Sequence, residues 1–136
     1  MTPEQKSLVQ STFQLVLPIA DTAAVIFYDR LFELDPSLRH MFRGDMKEQR
    51  QKLMQMIVVA VKGLDRLEEL VPAVEALGRR HAGYGVTERH YETVGAALLW
   101  TLEKGLGSVF TAEVREAWTA VYQLLAATMQ SVCIAA

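Results

Sequence analysis

The 136-residue chain is predicted to fold as a single all-α domain, spanning residues 1–136, with about seven helices. Apolar residues recur at helical spacing along the chain, and no segment shows the apolar and polar alternation of a half-buried strand. Capping residues and helix breakers divide the sequence into short pieces. The length suits one domain, because single domains cluster at roughly 100–150 residues.

A proline separates the first two predicted helices. A helix start is predicted at Thr2, Pro3 and Gln5. The Thr2 hydroxyl and the Gln5 amide can form a capping box, and proline is favoured at the first helical position. Pro18 should end or bend this helix. A second helix is predicted from about Ile19 to Leu34, with an apolar face formed by Ala24, Val25, Tyr28, Leu31 and Phe32.

A short helix and then a long one are predicted to follow. Asp35-Pro36 provides an N-cap and a first helical residue for a piece that ends near Gly44. The long helix runs from Asp45 to about Lys62, and Gly63 stops it. This part of the chain therefore forms a corner between two longer helices.

Glycine and threonine residues delimit the last three predicted helices. One covers Pro72 to about His81 and ends before Gly83 and Gly85. The next runs from Thr87 to about Leu106, and the last from Thr111 to about Ile134. In both, the threonine is the expected N-cap.

Composition excludes several classes of function. The balance of 14 Lys and Arg against 16 Asp and Glu argues against nucleic-acid binding, which favours a basic excess. The densest apolar run, Met56 to Val61, is far shorter than the ~18–20 residues of a membrane span, and no signal-peptide pattern follows Met1. A single cysteine, Cys133, excludes an internal disulfide. We therefore expect a cytoplasmic protein.

His81 is the first candidate for chemistry. It lies one turn after Leu77 and two turns after Val74, so the three side chains share one helix face. An imidazole on an apolar face suits an axial haem ligand. The same pattern also fits a C-terminal cap or a packing residue, and spacing alone leaves both interpretations open.

Two further polar side chains interrupt apolar helix faces. Gln49 precedes Leu53 by one turn, and a buried unpaired amide would cost roughly 1–3 kcal/mol. Tyr28 belongs to the apolar face of the second helix, while its hydroxyl needs a partner. Two interpretations stay open for each residue. Gln49 is either a border residue of the apolar face or part of a binding pocket, and Tyr28 is either an ordinary core residue or part of that pocket.

A series of segments in fixed order carries a family resemblance. They are Phe27-Tyr28-Asp29-Arg30-Leu31-Phe32, Asp35-Pro36, Met41-Phe42, Gln49, Lys52-Leu53, Gly78-Arg79-Arg80-His81, Tyr84-Gly85-Val86, His90-Tyr91, Val94-Gly95, Ala117-Trp118 and Tyr122. From Thr2 to about Met129 the chain resembles the bacterial single-domain haemoglobins and the related haem domain of flavohaemoglobins. The resemblance implies a globin fold, in which helices pack at steep angles around a haem pocket.

The resemblance also implies the cofactor, haem b (iron protoporphyrin IX), and the residues around it. His81 matches the histidine that holds the iron, and Phe42 matches a phenylalanine that stacks on the porphyrin. The ligand side is expected to contain Tyr28, Gln49 and Leu53, whose two polar groups can donate hydrogen bonds to O₂. Further expected haem contacts are Leu77, Val86 and Tyr91.

One position departs from the flavohaemoglobin pattern. In that family a tyrosine, matched by Tyr91, and a glutamate form hydrogen bonds around the iron-bound histidine. Here the glutamate position falls on Cys133, and no acidic residue follows Glu116. Because such partners push electron density toward the iron, this difference favours reversible O₂ binding over O–O chemistry.

The leading expectation is therefore a haem protein that binds, stores or delivers O₂, with CO and NO as further ligands. The alternative is a nitric oxide dioxygenase that relies on an external reductase, since we expect no flavin domain after Ala136. A gas sensor is a third class, for which we expect no output domain in this chain. The apolar end of the last helix, Ala126 to Ala136, allows a monomer or a weak homodimer.

Overall fold

The computed structural model describes residues 1–42 and 44–135, apart from the side chains of residues 132–135. These residues form six α-helices and no strand, which confirms the all-α prediction. The helices are α1 (Pro3–Val16), α2 (Ala20–Leu34), α3 (Met46–Lys62), α4 (Leu67–Gly83), α5 (Glu88–Leu106) and α6 (Ala112–Ala135). Short 3₁₀ segments occupy Leu17–Ile19, Pro36–Met41, Gly63–Asp65 and Gly107–Val109.

The predicted helix starts agree closely with the observed hydrogen bonds. The Gln5 backbone N–H donates to Thr2 Oγ1 over 3.1 Å, and the Thr2 backbone N–H donates to Gln5 Oε1 over 2.9 Å. At α3, the Lys47 N–H donates to the Asp45 carboxylate. At α6, the Val114 N–H donates to Thr111 Oγ1. Side-chain caps therefore set these boundaries, as the sequence predicts.

Two elements differ from the prediction. The short piece after Asp35 is a 3₁₀ segment, not an α-helix, so the seven predicted helices become six α-helices and this segment. Helix α4 begins at Leu67, five residues before the predicted start, with Pro72 inside it. Leu70 is buried and anchors this added turn, and a proline near a helix start removes only one backbone hydrogen bond.

The largest core cluster lies between α1, α3, α5 and α6. Within it the Trp118 indole N–H donates to Thr12 Oγ1 over 2.9 Å, and Phe13 packs on the Trp118 ring. Both hydrogen-bonded residues are buried, so their polar atoms are satisfied inside the core. Helix α4 packs on α6, and α2 packs on α5. These two pairs position the remaining clusters, which contain the candidate site.

Within residues 1–42 and 44–135, no helix combines the length and the hydropathy that a membrane span needs.

Candidate functional site

A cluster rich in aromatic side chains surrounds Tyr28, and we call it the Tyr28 cluster. Its buried members come from α2, the following 3₁₀ segment and α5, and half-buried residues pack against them. The buried members are Phe27, Tyr28, Leu31, Leu38 and Ala97, and the half-buried ones are Phe32, Phe42, Met46, Leu53, Val94 and Leu98. The cluster therefore contains three residues predicted for the haem pocket, Tyr28, Phe42 and Leu53.

Tyr28 is held by rings and by one polar contact. Its side chain is only 5% exposed. The Phe27 ring lies edge-on at 5.0 Å between centroids, and the Phe42 ring at 5.4 Å. The Gln49 side-chain amide donates to Tyr28 Oη over 3.3 Å. Because the oxygen accepts this bond, the hydroxyl hydrogen is still available to a further acceptor.

Burial also controls the charge of Tyr28. Burial raises the pKa of Tyr28, because the interior disfavours the tyrosinate, and the hydrogen bond from Gln49 offsets part of this rise. The hydroxyl therefore keeps its proton throughout the neutral range. It acts there as a neutral hydrogen-bond donor.

A second apolar cluster lies beside the end of α4, and we call it the His81 cluster. Its members come from α4, α5 and α6 and from the loop between α4 and α5, which contributes Val86. The buried residues are Leu70, Val74, Tyr91, Ala126 and Met129, and the half-buried ones are Leu77, Val86, Tyr122 and Leu125. His81 is half-buried in the last turn of α4, with its ring centroid 6.5 Å from that of Tyr91. The remaining predicted residues, Leu77, Val86 and Tyr91, thus lie with His81.

One hydrogen bond fixes the tautomer of His81. Its Nδ1 lies 2.8 Å from the backbone carbonyl oxygen of Leu77. A carbonyl can only accept, so Nδ1 carries the proton and donates it. In the neutral form of the ring, the lone pair then lies on Nε2. This is the arrangement of a metal-binding histidine, whose second nitrogen donates to a carbonyl or a carboxylate.

Helix α6 supports the Tyr91 side of the cluster. The Tyr122 hydroxyl donates to the backbone carbonyl oxygen of Tyr91 over 2.5 Å. Burial raises the pKa of Tyr122, and the nearby Tyr91 adds to this effect, so the donor keeps its proton. The backbone position of Tyr91, whose ring lies next to His81, is thereby tied to α6.

Helix α5 joins the two clusters. It contributes Tyr91 to the His81 cluster and Val94 and Ala97 to the Tyr28 cluster. Three residues correspond to about 4.5 Å along a helix, so the clusters are immediate neighbours. Two adjacent apolar clusters, one beside the His81 imidazole and one around the buried Tyr28 hydroxyl, have the chemistry that an apolar iron macrocycle requires.

Several contributors to these clusters were missed by sequence analysis. Phe32 lies 5.6 Å from Phe42 between ring centroids, and Leu38 is buried beside them; neither was selected as a pocket residue. His90 is half-buried, and its Nδ1 accepts the Thr87 N–H over 3.0 Å. Its place two residues after the helix start was a usable signal, because the capping box places an acceptor there. The Cys133 side chain lies outside the described residues.

Comparison with known proteins decides the family. The globin family profile matches residues 25–129, which include both clusters and His81. The chain belongs to the globin family. Globins bind haem, so this globin is a haem-binding protein, and the predicted globin fold is confirmed.

Curated relatives include proteins from bacteria and fish. This globin is 35% identical to the flavohemoprotein of Vibrio cholerae over 129 residues, which are 93% of this chain and 33% of that protein. It is 31% identical to neuroglobin of Tetraodon nigroviridis, covering 95% of this chain and 90% of the relative. The chain thus spans about a third of the length of the flavohemoproteins that it matches.

Solved structures support the same fold. A bacterial globin from Campylobacter jejuni superimposes with a TM-score of 0.83 and 26% identity, covering 96% of this chain and 95% of that one. An engineered carbene transferase from Rhodothermus marinus has a TM-score of 0.86 at 23% identity, covering 99% and 95%, and this likeness concerns the fold alone.

Proposed function

We propose that this globin holds haem b through His81 and binds O₂ reversibly beside Tyr28 and Gln49. The observation that carries the proposal is the hydrogen bond from Gln49 to Tyr28 inside an apolar cluster. It leaves the Tyr28 hydroxyl hydrogen for a ligand. The tautomer of His81, with a lone pair on Nε2, supports the role of iron ligand.

When bound, haem supplies a ferrous iron that takes up diatomic gases. The chain supplies everything around it. Phe42 and Leu53 offer apolar surface on the Tyr28 side, and Leu77 and Val86 offer it on the His81 side. These side chains exclude water, which protects the ferrous state. We infer a single domain in the cytoplasm, consistent with the one cysteine of the sequence.

Tyr28 and Gln49 give the pocket its preference for O₂. A hydrogen bond to a polarised ligand is worth about 1–3 kcal/mol, which corresponds to roughly ten- to hundredfold in dissociation. CO is less polar when bound and gains less. The balance between the two gases therefore reports on these donors.

The test is stopped-flow measurement of O₂ and CO dissociation in three variants. We expect Tyr28→Phe and Gln49→Leu to release O₂ at least about tenfold faster, with a smaller change for CO. Tyr84→Phe is the control, because Tyr84 is 67% exposed. Unchanged O₂ release in both pocket variants would contradict the proposal.

A second candidate is nitric oxide dioxygenase activity, and similarity to flavohemoproteins favours it. In that reaction one NO and one O₂ give nitrate, and an external reductase returns one electron after each turnover. The same donors, Tyr28 and Gln49, would orient O₂. Sustained NO consumption with a cellular reductase and NADH supports this activity, whereas one stoichiometric burst followed by arrest excludes it.

A further inference from the structure

Gly78 brings two helix backbones into direct contact. It lies buried in the interior of α4, three residues before His81. A Cβ built at this position would clash with the backbone oxygen of Met129 in α6 and would lie 2.7 Å from the Cα of the same residue. No side chain fits there unless α4 or α6 moves, because backbone atoms cannot turn aside as the end of a side chain can.

This contact is directly linked to His81. The carbonyl that accepts the His81 Nδ1 hydrogen belongs to Leu77, and it is part of the peptide unit that joins Leu77 to Gly78. That peptide unit therefore touches α6 at one end and orients the imidazole at the other. A displacement of Gly78 must move the acceptor that fixes the histidine ring.

We propose that Gly78 is a positioning residue, which sets the place of His81 Nε2 and hence the strength of its bond to the haem iron. The proposal rests on the proposed function, because it takes His81 as the iron ligand. Glycine in a helix interior is destabilising relative to alanine. At Gly78 this cost is offset by the close approach of α4 to α6.

The chain offers two matched controls for Gly78→Ala. Gly83→Ala adds the same methyl group to the same helix, at a position with nothing within 4 Å of the new Cβ. Met129→Ala removes a buried side chain from the His81 cluster but leaves the backbone contact with Gly78 in place. The first control tests helix propensity, and the second tests a general loss of stability.

The experiment uses resonance Raman spectra of the ferrous holoprotein, together with thermal unfolding and O₂ dissociation rates. For Gly78→Ala we expect a shifted iron–histidine stretching band and a change of about fivefold or more in O₂ dissociation, equivalent to ~1 kcal/mol. Met129→Ala should unfold at a lower temperature with the band unmoved. Gly83→Ala should leave the band unmoved, and its unfolding temperature should be unchanged or slightly higher.

The outcomes separate this inference from the function on which it rests. If the iron–histidine band has the same frequency in Gly78→Ala as in the wild-type protein, the positioning role alone is overturned. An equal shift of the band in Met129→Ala overturns it as well. No iron–histidine band in the wild-type protein contradicts ligation by His81 itself. Gly78→Ala is prepared with hemin and CO, which stabilise the folded state. If it stays unfolded even then, the contact is merely structural and the proposal is wrong.

Discussion

The Tyr28 cluster and the His81 cluster lie side by side along α5, but they are held in different ways. Around Tyr28 the contacts are between side chains: the rings of Phe27, Phe32 and Phe42 all lie within 6.0 Å of the Tyr28 centroid. Around His81 the decisive contacts involve backbone. His81 is bonded to the Leu77 carbonyl, and the Tyr122 hydroxyl is bonded to the Tyr91 carbonyl.

The two clusters should therefore be sensitive to different kinds of substitution. Removing atoms from the Tyr28 cluster removes ring contacts and a hydrogen-bond donor, so truncation should alter ligand chemistry directly. At Gly78 in the His81 cluster, α4 has no room for a side chain against α6, so added atoms should matter there as much as lost ones.

His81→Gly should have the largest effect, because it removes the one proposed bond between chain and iron. We expect the purified variant to lose the ferrous absorption spectrum of the wild-type protein and to bind hemin much more weakly. Added imidazole should restore the spectrum by occupying the space of the missing side chain. A variant with the wild-type spectrum and no response to imidazole would show that another residue holds the iron.

Leu31→Ala and Leu77→Ala compare the packing of the two clusters. Leu31 is 1% exposed in the Tyr28 cluster, so we expect its truncation to lower the free energy of unfolding by about 2–5 kcal/mol. Leu77 is only half-buried, and we expect a loss below ~2 kcal/mol. Urea unfolding with unchanged m-values measures both. An equal or larger loss for Leu77→Ala would refute the contrast in packing.

Alkaline pH should give the smallest effect, since each cluster holds one tyrosine whose pKa is raised by burial, Tyr28 and Tyr122. Below the ordinary tyrosine pKa of about 10, both residues are neutral in the folded and unfolded chains. As pH rises above that value, the unfolded chain loses these protons first, so stability falls until the folded-state pKa is passed.

The measurement is guanidinium unfolding at several pH values between neutral and strongly alkaline. Tyr28→Phe and Tyr122→Phe should each lose part of the alkaline decline, and Tyr122→Phe should lose more, because burial shifts that pKa further. Tyr84→Phe is the exposed control. An unaltered decline in both buried variants would show that other groups cause it.

Local signals predicted most of the helix boundaries. Thr2, Asp45 and Thr111 each form the expected cap, because a cap depends on residues within one turn. The start of α4 at Leu67 could not be read in the same way. There the burial of Leu70 outweighs the breaking tendency of Pro72, and burial depends on distant parts of the chain.

The candidate site also combines features that local sequence predicts with features that depend on distant residues. Periodicity placed His81 and Leu77 on one face, and the hydrogen bond between them agrees with that spacing. It could not decide between a cap and a metal ligand, because both need the same spacing; the family resemblance made that choice. The contact of Gly78 with Met129 joins residues 51 positions apart, so no local sequence pattern predicts it.

Because α5 contributes residues to both clusters, a shift of this helix changes the geometry of both. Tyr91 belongs to the His81 cluster, while Val94 and Ala97 belong to the Tyr28 cluster, so α5 supports both. A single residue inserted between Tyr91 and Val94 would rotate one set against the other by about 100°. Evolution of such a protein is therefore expected to change α5 by substitution and to leave its length untouched.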